Sequence, residues 1–329
     1  MPEMTILTEA ELRSQVGLDQ ATIECVEQAF HALTTKAVVM PPIMRLDIVE
    51  NHGEIDVKTA YIPGVDSLAI KISSGFFDNP KLGLPSLDAL MALFSSRTGM
   101  IEALLLENGF LTNVRTAAAG AIAAKYLSRA DSRSAAVLGA GAQAELQLEA
   151  LMLVRDIESA NLWARDDAKA KAVASKLSER LGIPVTASDS VAEATANADI
   201  IITTTPSAEP VLLDEHLRPG QHVTAMGSDA EHKNEIDPKI LQRCRYYCDR
   251  LSQVQTLGEL HHAINQKLID ADAVFPEIGE VIAGLATARE DDSDITLCDL
   301  TGTGIQDTAI ANLAYHLCRQ NGAGTVFNR

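Results

Sequence analysis

Between residues 134 and 297, apolar runs alternate with segments of helical period, and this alternation restricts the chain more than any other feature. Residues 134–138 (SAAVL) form a short apolar run that stops at Gly139, and residues 142–154 then repeat apolar side chains at helical spacing. Residues 160–164 (ANLWA) read as a second strand, and residues 166–181 as an Ala/Lys-rich helix closed by Gly182. Residues 199–204 (DIIITT) form a third, β-branched strand before Pro206, with further strand candidates at 223–226, 245–248 and 295–297. Strands separated by helices pair in parallel, with the helices covering both faces of the sheet.

The turn after the first of these strands reads VLGAGAQAE, which sets Gly139, Gly141 and Ala144 in a G-x-G-x-x-A pattern. The pattern gains meaning from its place between a strand and a helix at the start of a βαβ unit. Gly139 permits the tight turn and Gly141 lets backbone approach a pyrophosphate. The helix opening at Ala142 and Gln143 offers unpaired N–H groups and a partial positive charge. The alternative is a strand-to-helix turn with no ligand. The expected fold is α/β, a Rossmann-type doubly wound sheet at residues 126–306 inserted in an α+β domain made of residues 1–125 and 307–329. In open parallel sheets, ligands lie outside the carboxyl ends of the strands, which makes Thr204, Met226 and Gly227 expected cofactor contacts. After the second strand come Ala164, Arg165 and Asp166. Arg165 suits a 2′-phosphate and favours NADP(H) over NAD(H), whereas Asp166 either caps the next helix or grips a ribose.

The N-terminal third has another texture: a helix at 19–33, then turn-rich strand candidates at 44–49, 57–62, 69–72 and 101–106. A final helix is expected at 307–319. Lys plus Arg number 27 against 45 Asp plus Glu, a net charge of −18. So negative a surface disfavours nucleic acid and anionic membranes, though not a small anionic ligand in a local basic pocket. The start, MPEMTILTEAEL, lacks the pattern of a secretory leader, and no apolar run reaches the roughly 18 residues of a bilayer span. Five scattered cysteines fit reduced thiols in a cytoplasmic protein, and the Cys244–Cys248 pair lacks the second ligand pair of a metal site, so no metal is expected. The acidic run 290–294 reads as a solvated loop.

Four residues stand out as chemical candidates. Asp229, in GSDAEHKNE, follows a strand end, and turn capping is its alternative. Lys71 lies inside the apolar segment LAIKISSG, where a lysine is either paired and used or sits on an edge with its head in solvent. Arg115, in TNVRTAAAG, and Arg45, after PPIM, are planar forks suited to a carboxylate or phosphate. The adjacent His261 and His262 read as surface histidines.

Taken in order, PPIMR, AIK at Lys71, TNVRTAAAG, VLGAGAQAE, DIIITTT, MGSDAEHKNE and DLTGTGIQD resemble the ornithine cyclodeaminase/mu-crystallin family over nearly the whole chain. Within it, the likeness is to members encoded with ectoine catabolism and to iminosuccinate reductases. The resemblance implies a homodimer that exchanges hydride between a nicotinamide cofactor, NAD(H) or NADP(H), and a C–N bond beside a carboxylate. The substrate would be a small anionic imino or amino acid. It implies that Arg45 and Arg115 bind the carboxylate, that Lys71 and Asp229 are catalytic, that Ser86 meets the nicotinamide amide and Thr116 a phosphate, and that Lys233 lies near the cofactor. The implied activity is an imine reductase or amino-acid dehydrogenase. A cyclodeaminase that uses bound NAD catalytically, and a nucleotide-binding protein without catalysis, are the alternatives. Ornithine cyclodeaminases carry a glutamate aligned with Ala60 that holds the distal amine, which Ala60 cannot do.

Overall fold

The computed structural model describes residues 3–328. In chain order, β1 (Glu3–Thr8), α1 (Glu9–Gln15) and α2 (Gln20–Thr35) precede β2 (Met44–Ile48), β3 (Gly53–Ala60), β4 (Ser67–Phe76), β5 (Leu87–Ser95) and β6 (Ile101–Leu106). Next come α3 (Phe110–Leu127), β7 (Ser134–Leu138), α4 (Ala142–Met152), β8 (Ser159–Trp163), α5 (Asp167–Leu181), β9 (Val185–Ala187), α6 (Val191–Thr195), β10 (Ile200–Thr203) and β11 (His222–Ala225). The chain continues through β12 (Arg245–Cys248), α7 (Leu251–Val254), α8 (Glu259–Asn265), α9 (Ile278–Ile282), β13 (Thr296–Asp299), α10 (Gly304–Gln320) and β14 (Thr325–Asn328).

The described chain divides into two units: residues up to Arg115 joined by those from Thr303 onward, and residues 116–302 between them. The sequence pattern places these divisions after residues 125 and 306. The first instead falls within α3, because Leu111 and Val114 pack with Leu7 and Met91 of the first unit, whereas Ala124 packs with Ala135 and Leu148 of the second. The other division moves because Thr303 is the N-cap of α10, its amide donating to Gln306 Oε1 at 2.8 Å, so the helix belongs to the first unit from its first turn.

The first unit is built on a seven-stranded sheet of order β14-β1-β6-β5-β4-β3-β2, antiparallel except where β1 runs with β6. Strand alternation sends Glu54, Asp56, Lys58 and Ala60 of β3 to one face, which is buried. Leu12, Met91, Leu93, Leu105, Ile310 and Ala314 form the core there, and α10 lies across β3 and β4. The opposite face carries a row across four strands, Met44–Val57–Ile72–Leu90, with Met44, Ile72 and nearby Leu46 exposed. Four strands were not anticipated: β1, β5, β9 and β14. β5 hides in the sequence because its LDALMALFS run has helix-forming residues, and only pairing with β4 and β6 makes it a strand.

The second unit holds a seven-stranded, wholly parallel sheet of order β12-β13-β11-β10-β7-β8-β9. Both faces are covered, one by the cluster around Ile201, Val223 and Leu297, the other by that around Val137, Leu148 and Leu162. Strand order reverses between β7 and β10, the topological switch point at which doubly wound folds bind ligands. This is the expected α/β class. Among the described residues, no helix is long and apolar enough to cross a membrane.

Candidate functional site

At the switch point the second unit carries the glycine turn. Gly139 has φ +133°, and an added Cβ would lie 3.0 Å from the Thr204 carbonyl oxygen, so β7 can turn beside β10 only without a side chain. Thr204 completes the crossing by donating its amide to Leu138 O at 2.9 Å. Gly141 is the N-cap of α4, with no side-chain cap on the helix N-terminus and no atom within 4 Å of a would-be Cβ. Gly141 and Ala142 are exposed there, so the amides and space that a pyrophosphate needs are both present. Gln143 and Thr116 lie close by: Gln147 donates its amide to Gln143 Oε1 at 3.2 Å and to Thr116 O at 3.1 Å. After β8, Ala164 is half-buried and Arg165 is exposed. Asp166 caps α5 by accepting from Lys169 N at 3.1 Å, the capping alternative left open by the sequence. These residues fit a dinucleotide.

Beyond β11, Met226 donates its amide to Thr203 O at 3.1 Å. The loop it opens, residues 227–235, is held by Glu235. This fully buried carboxylate accepts from Gly227 N at 2.7 Å, from Thr203 Oγ1 at 2.7 Å and from Thr205 N, which ties the ends of β10 and β11 together. Burial pushes Glu235 above the ordinary carboxylate value, against the donors from Thr203, Thr205 and Gly227. Glu259, at the start of α8, supports the same loop: it accepts from Glu235 N at 2.9 Å, Ile236 N at 3.2 Å and Asn234 Nδ2 at 2.6 Å. On the loop, Lys233 Nζ meets Asp229 Oδ1 at 2.5 Å, with the Lys233 side chain buried and that of Asp229 40% exposed. His261 and His262, expected at the surface, are not surface groups. His261 is buried and its Nδ1 meets Gly258 O at 2.7 Å, while half-buried His262 places Nε2 2.7 Å from Lys233 O. Helical spacing could not show this, because the loop that covers them comes from elsewhere in the chain.

In the first unit, Lys71 lies on β4, an interior strand, which removes the edge-lysine alternative. Its side chain is 2% exposed, and Nζ is 3.2 Å from Asp307 Oδ1. The same oxygen accepts from Arg115 Nε at 3.0 Å, and Arg115 Nη1 donates to Gln306 Oε1 at 3.2 Å. Asp307 and Gln306 occupy the first turn of α10. That turn is pinned to the sheet by Thr308, whose Oγ1 donates to Ala60 O at 2.8 Å and accepts from Ala69 N at 3.1 Å. Directly opposite Lys71 on β3 stands Lys58, also buried, while Ala60 faces Ala69. Neither Lys58 nor Ala60 offers a carboxylate for a distal amine. Burial, with Arg115 and Lys58 adding like charge, brings Lys71 down to about 7 against the pull of Asp307 and Glu107. Burial would raise Asp307, but Lys71, Arg115 and Lys58 outweigh it and hold the carboxyl below its ordinary value.

Arg45 is placed differently from the open fork expected. Its guanidinium faces three carboxylates: Glu54, Asp47 at 3.0 Å and Asp56 at 3.6 Å. The sequence concealed this because Glu54 and Asp56 reach Arg45 only through the β2–β3 pairing. Ser86 lies half-buried just before β5, with its carbonyl accepting from Phe76 N at 2.8 Å. The structure thus brings Lys71 and Arg115 together, sets Arg45 among acids on β2 and β3, and gathers Gly139, Thr204, Met226, Gly227 and Asp229 at the carboxyl end of the parallel sheet. Asp307, Glu235 and Glu259 were missed. Each was present in a quoted motif or on a helix, but none carries a signal until its partners are seen.

The chain is 62% identical to a provisionally named dehydrogenase of Rhizobium meliloti (strain 1021), over 99% of both chains. It is 36% identical to the alanine dehydrogenase of Archaeoglobus fulgidus, over 98% of both. The solved structure of Thermococcus litoralis Δ1-pyrroline-2-carboxylate reductase, in complex with NADH and L-proline, superposes with a TM-score of 0.93 at 32% identity, over 98% of this chain and 99% of that one. Residues 3–322 match the profile of the ornithine cyclodeaminase/mu-crystallin family, and the chain belongs to that family.

Proposed function

We propose that this protein is an NAD(P)-dependent imine reductase or amino-acid dehydrogenase acting on a small 2-imino or 2-amino acid, in amino-acid or ectoine-type catabolism. The observation that carries this reading is the buried Lys71–Asp307–Arg115 cluster in a chain whose relatives, over their full length, include an alanine dehydrogenase and a pyrroline-2-carboxylate reductase. Arg115 supplies a planar fork for the substrate carboxylate. Arg45 is a second candidate, which joins only by exchanging one of its own acids for the substrate. Lys71, near neutrality, gives the nitrogen its proton during reduction and takes it back during oxidation, with Asp229 the alternative donor. Neither Lys58 nor Ala60 suits a second amine, which favours substrates without one.

The glycine turn, Thr116, Gln143, Ala164, Arg165, Asp166, Thr204, Met226, Gly227, Lys233 and Ser86 are proposed to hold the dinucleotide. When bound, its nicotinamide supplies hydride to the carbon of the C–N bond or accepts it. Arg165 favours the 2′-phosphate of NADP(H). The exposed apolar row of the first unit's sheet is proposed as the interface of a homodimer.

The test is a panel of imino acids, generated from keto acids with ammonia or methylamine, assayed with NADH and NADPH. Net cofactor oxidation with at least one of them supports the reading. Release of ammonia from a diamino acid without net cofactor turnover would replace it with a cyclodeaminase. Tight nucleotide binding with no turnover across the panel would leave a binding protein.

A further inference from the structure

We infer that Asp307 is a positioning residue, a single buried carboxylate oxygen that fixes Lys71 and Arg115 to each other. The inference rests on the reading of Lys71 as the proton donor and goes beyond it to the group that sets the donor's place and charge.

Asp307 Oδ1 stands 3.2 Å from Lys71 Nζ and 3.0 Å from Arg115 Nε, on side chains that are 2%, 6% and 0% exposed for Lys71, Arg115 and Asp307. The three come from separate elements: Lys71 from β4, Arg115 from α3 and Asp307 from α10. Two cations this close repel each other in a dry site, and the shared carboxylate offsets that repulsion. Its other oxygen, Oδ2, is buried with no hydrogen-bond partner. The carboxylate is therefore committed to the two cations through one atom and is not itself anchored by a further donor. Its position comes instead from the helix: Gln306 accepts from Thr303 N at 2.8 Å to close the cap, and Thr308 bonds both Ala60 and Ala69 in the sheet. A helix turn clamped to β3 and β4 thus presents one acid between two bases.

The charged groups that act on Lys71 are Lys58 across the strand pair on β3, Glu107 just before α3, Arg115 on α3 and Asp307 on α10. Of these, Lys58 and Arg115 disfavour the ammonium and Asp307 and Glu107 favour it. Glu107 is itself pushed up by burial and spends both oxygens on Thr112. Asp307 is thus the principal group that favours the ammonium form of Lys71. In reduction, a neutral imine takes a hydride on carbon and a proton on nitrogen. The proton leaves Lys71 Nζ, and solvent restores it before the next turnover.

The experiment is the pH profile of kcat and kcat/KM for imine reduction by the intact enzyme, compared for wild type, Asp307→Asn, Asp307→Glu and Lys71→Met, with nucleotide affinity as the check of folding. In wild type, activity falls as pH rises through the Lys71 value. In Asp307→Asn that fall is expected at least about one pH unit lower, with kcat at pH 7 reduced about fivefold or more and nucleotide affinity unchanged. Asp307→Glu keeps the charge and moves it, so the fall stays near the wild-type pH while kcat drops. If Asp307→Asn does not fold, Asp307→Glu decides. A folded variant of either kind with wild-type kcat and an unmoved profile overturns the inference. Full activity in Lys71→Met overturns the reading of Lys71 instead, which keeps the two failures distinct.

Discussion

Gly227 and Glu235 touch with no room between them. The Gly227 amide donates to Glu235 Oε2 at 2.7 Å, and a Cβ on Gly227 would lie 2.5 Å from that oxygen and closer still to the carbonyl of Thr205. One contact therefore sets the end of β11 against the end of β10 and starts the loop that carries Asp229. Gly227→Ala must push the loop outward. The expected cost is about 1–3 kcal/mol of overpacking, felt as nucleotide binding weakened by roughly tenfold or more. Titration of the variant with NADH and NADPH, beside its circular dichroism, checks this. Wild-type affinity for both would show that the loop does not meet the cofactor.

Arg165 is the residue proposed to distinguish the two nicotinamide cofactors. It is exposed next to Asp166, whose carboxylate is already used in capping α5. Loss of a charge-assisted contact to the 2′-phosphate costs about 1.5–3 kcal/mol. Arg165→Ala is expected to weaken NADPH about tenfold or more and leave NADH within about twofold. Equal effects on both would remove Arg165 from cofactor choice.

Arg115 and Arg45 differ in what already holds them. Arg115 shares Asp307 with Lys71, whereas Arg45 has Glu54, Asp47 and Asp56 around it. Arg115→Ala should lower kcat/KM for the imino acid by about 30-fold or more, given about 2 kcal/mol or more for a charged contact in a buried site. Arg45→Ala should lower it less. Steady-state kinetics at fixed cofactor decides, and the reverse order would make Arg45 the main carboxylate clamp.

His222 gives a pH dependence of stability. It is fully buried on β11, with Nδ1 2.9 Å from Thr296 Oγ1 and Nε2 3.0 Å from Thr224 Oγ1. Thr296 Oγ1 donates to Leu127 O, so it accepts from Nδ1–H, and Nε2 is left to accept from Thr224. The ring is neutral in the fold. Burial, aided by Arg289 and Arg155, brings it down to about 3 from an ordinary 6.5. The unfolded chain binds a proton below about pH 6.5 and the folded one does not, so this contribution is present above 6.5 and lost as pH falls from 6.5 toward 3. Urea midpoints of wild type and His222→Gln across that window should converge as the pH is lowered. A constant difference between them would count against the neutral buried ring.

The open sheet face can be tested directly. Ile72 and Leu46 are 41% and 53% exposed on it. If this face pairs two copies, a double Leu46→Glu, Ile72→Glu variant should elute as a monomer at concentrations where the wild type is a dimer, because buried like charges destabilise a symmetric interface. An unchanged dimer would place the interface elsewhere.

The strand–helix alternation, the glycine turn and the order of motifs were legible along the chain, because each rests on local period or on a residue type that its own backbone demands. β7 and β12 fall on the expected residues 134–138 and 245–248, Gly182 caps α5 as the pattern implied, and Asp166 takes the capping role of the two left open for it. The helix expected from Asp19 begins at Gln20, with Asp19 as its N-cap. What escaped depends on contacts between distant segments. β5 becomes a strand through its neighbours, Arg45 meets its acids only across a hairpin, and Lys71 is paired by a residue 236 positions away, Asp307. Sequence by itself determined the parallel sheet and the glycine turn between β7 and α4, since these follow from periodicity and backbone freedom, and its motifs carried the family pattern. Tertiary structure alone decided which acid holds which base, since burial and distance set the charge of a lysine or a carboxylate, and neither exists until the strands and helices have packed.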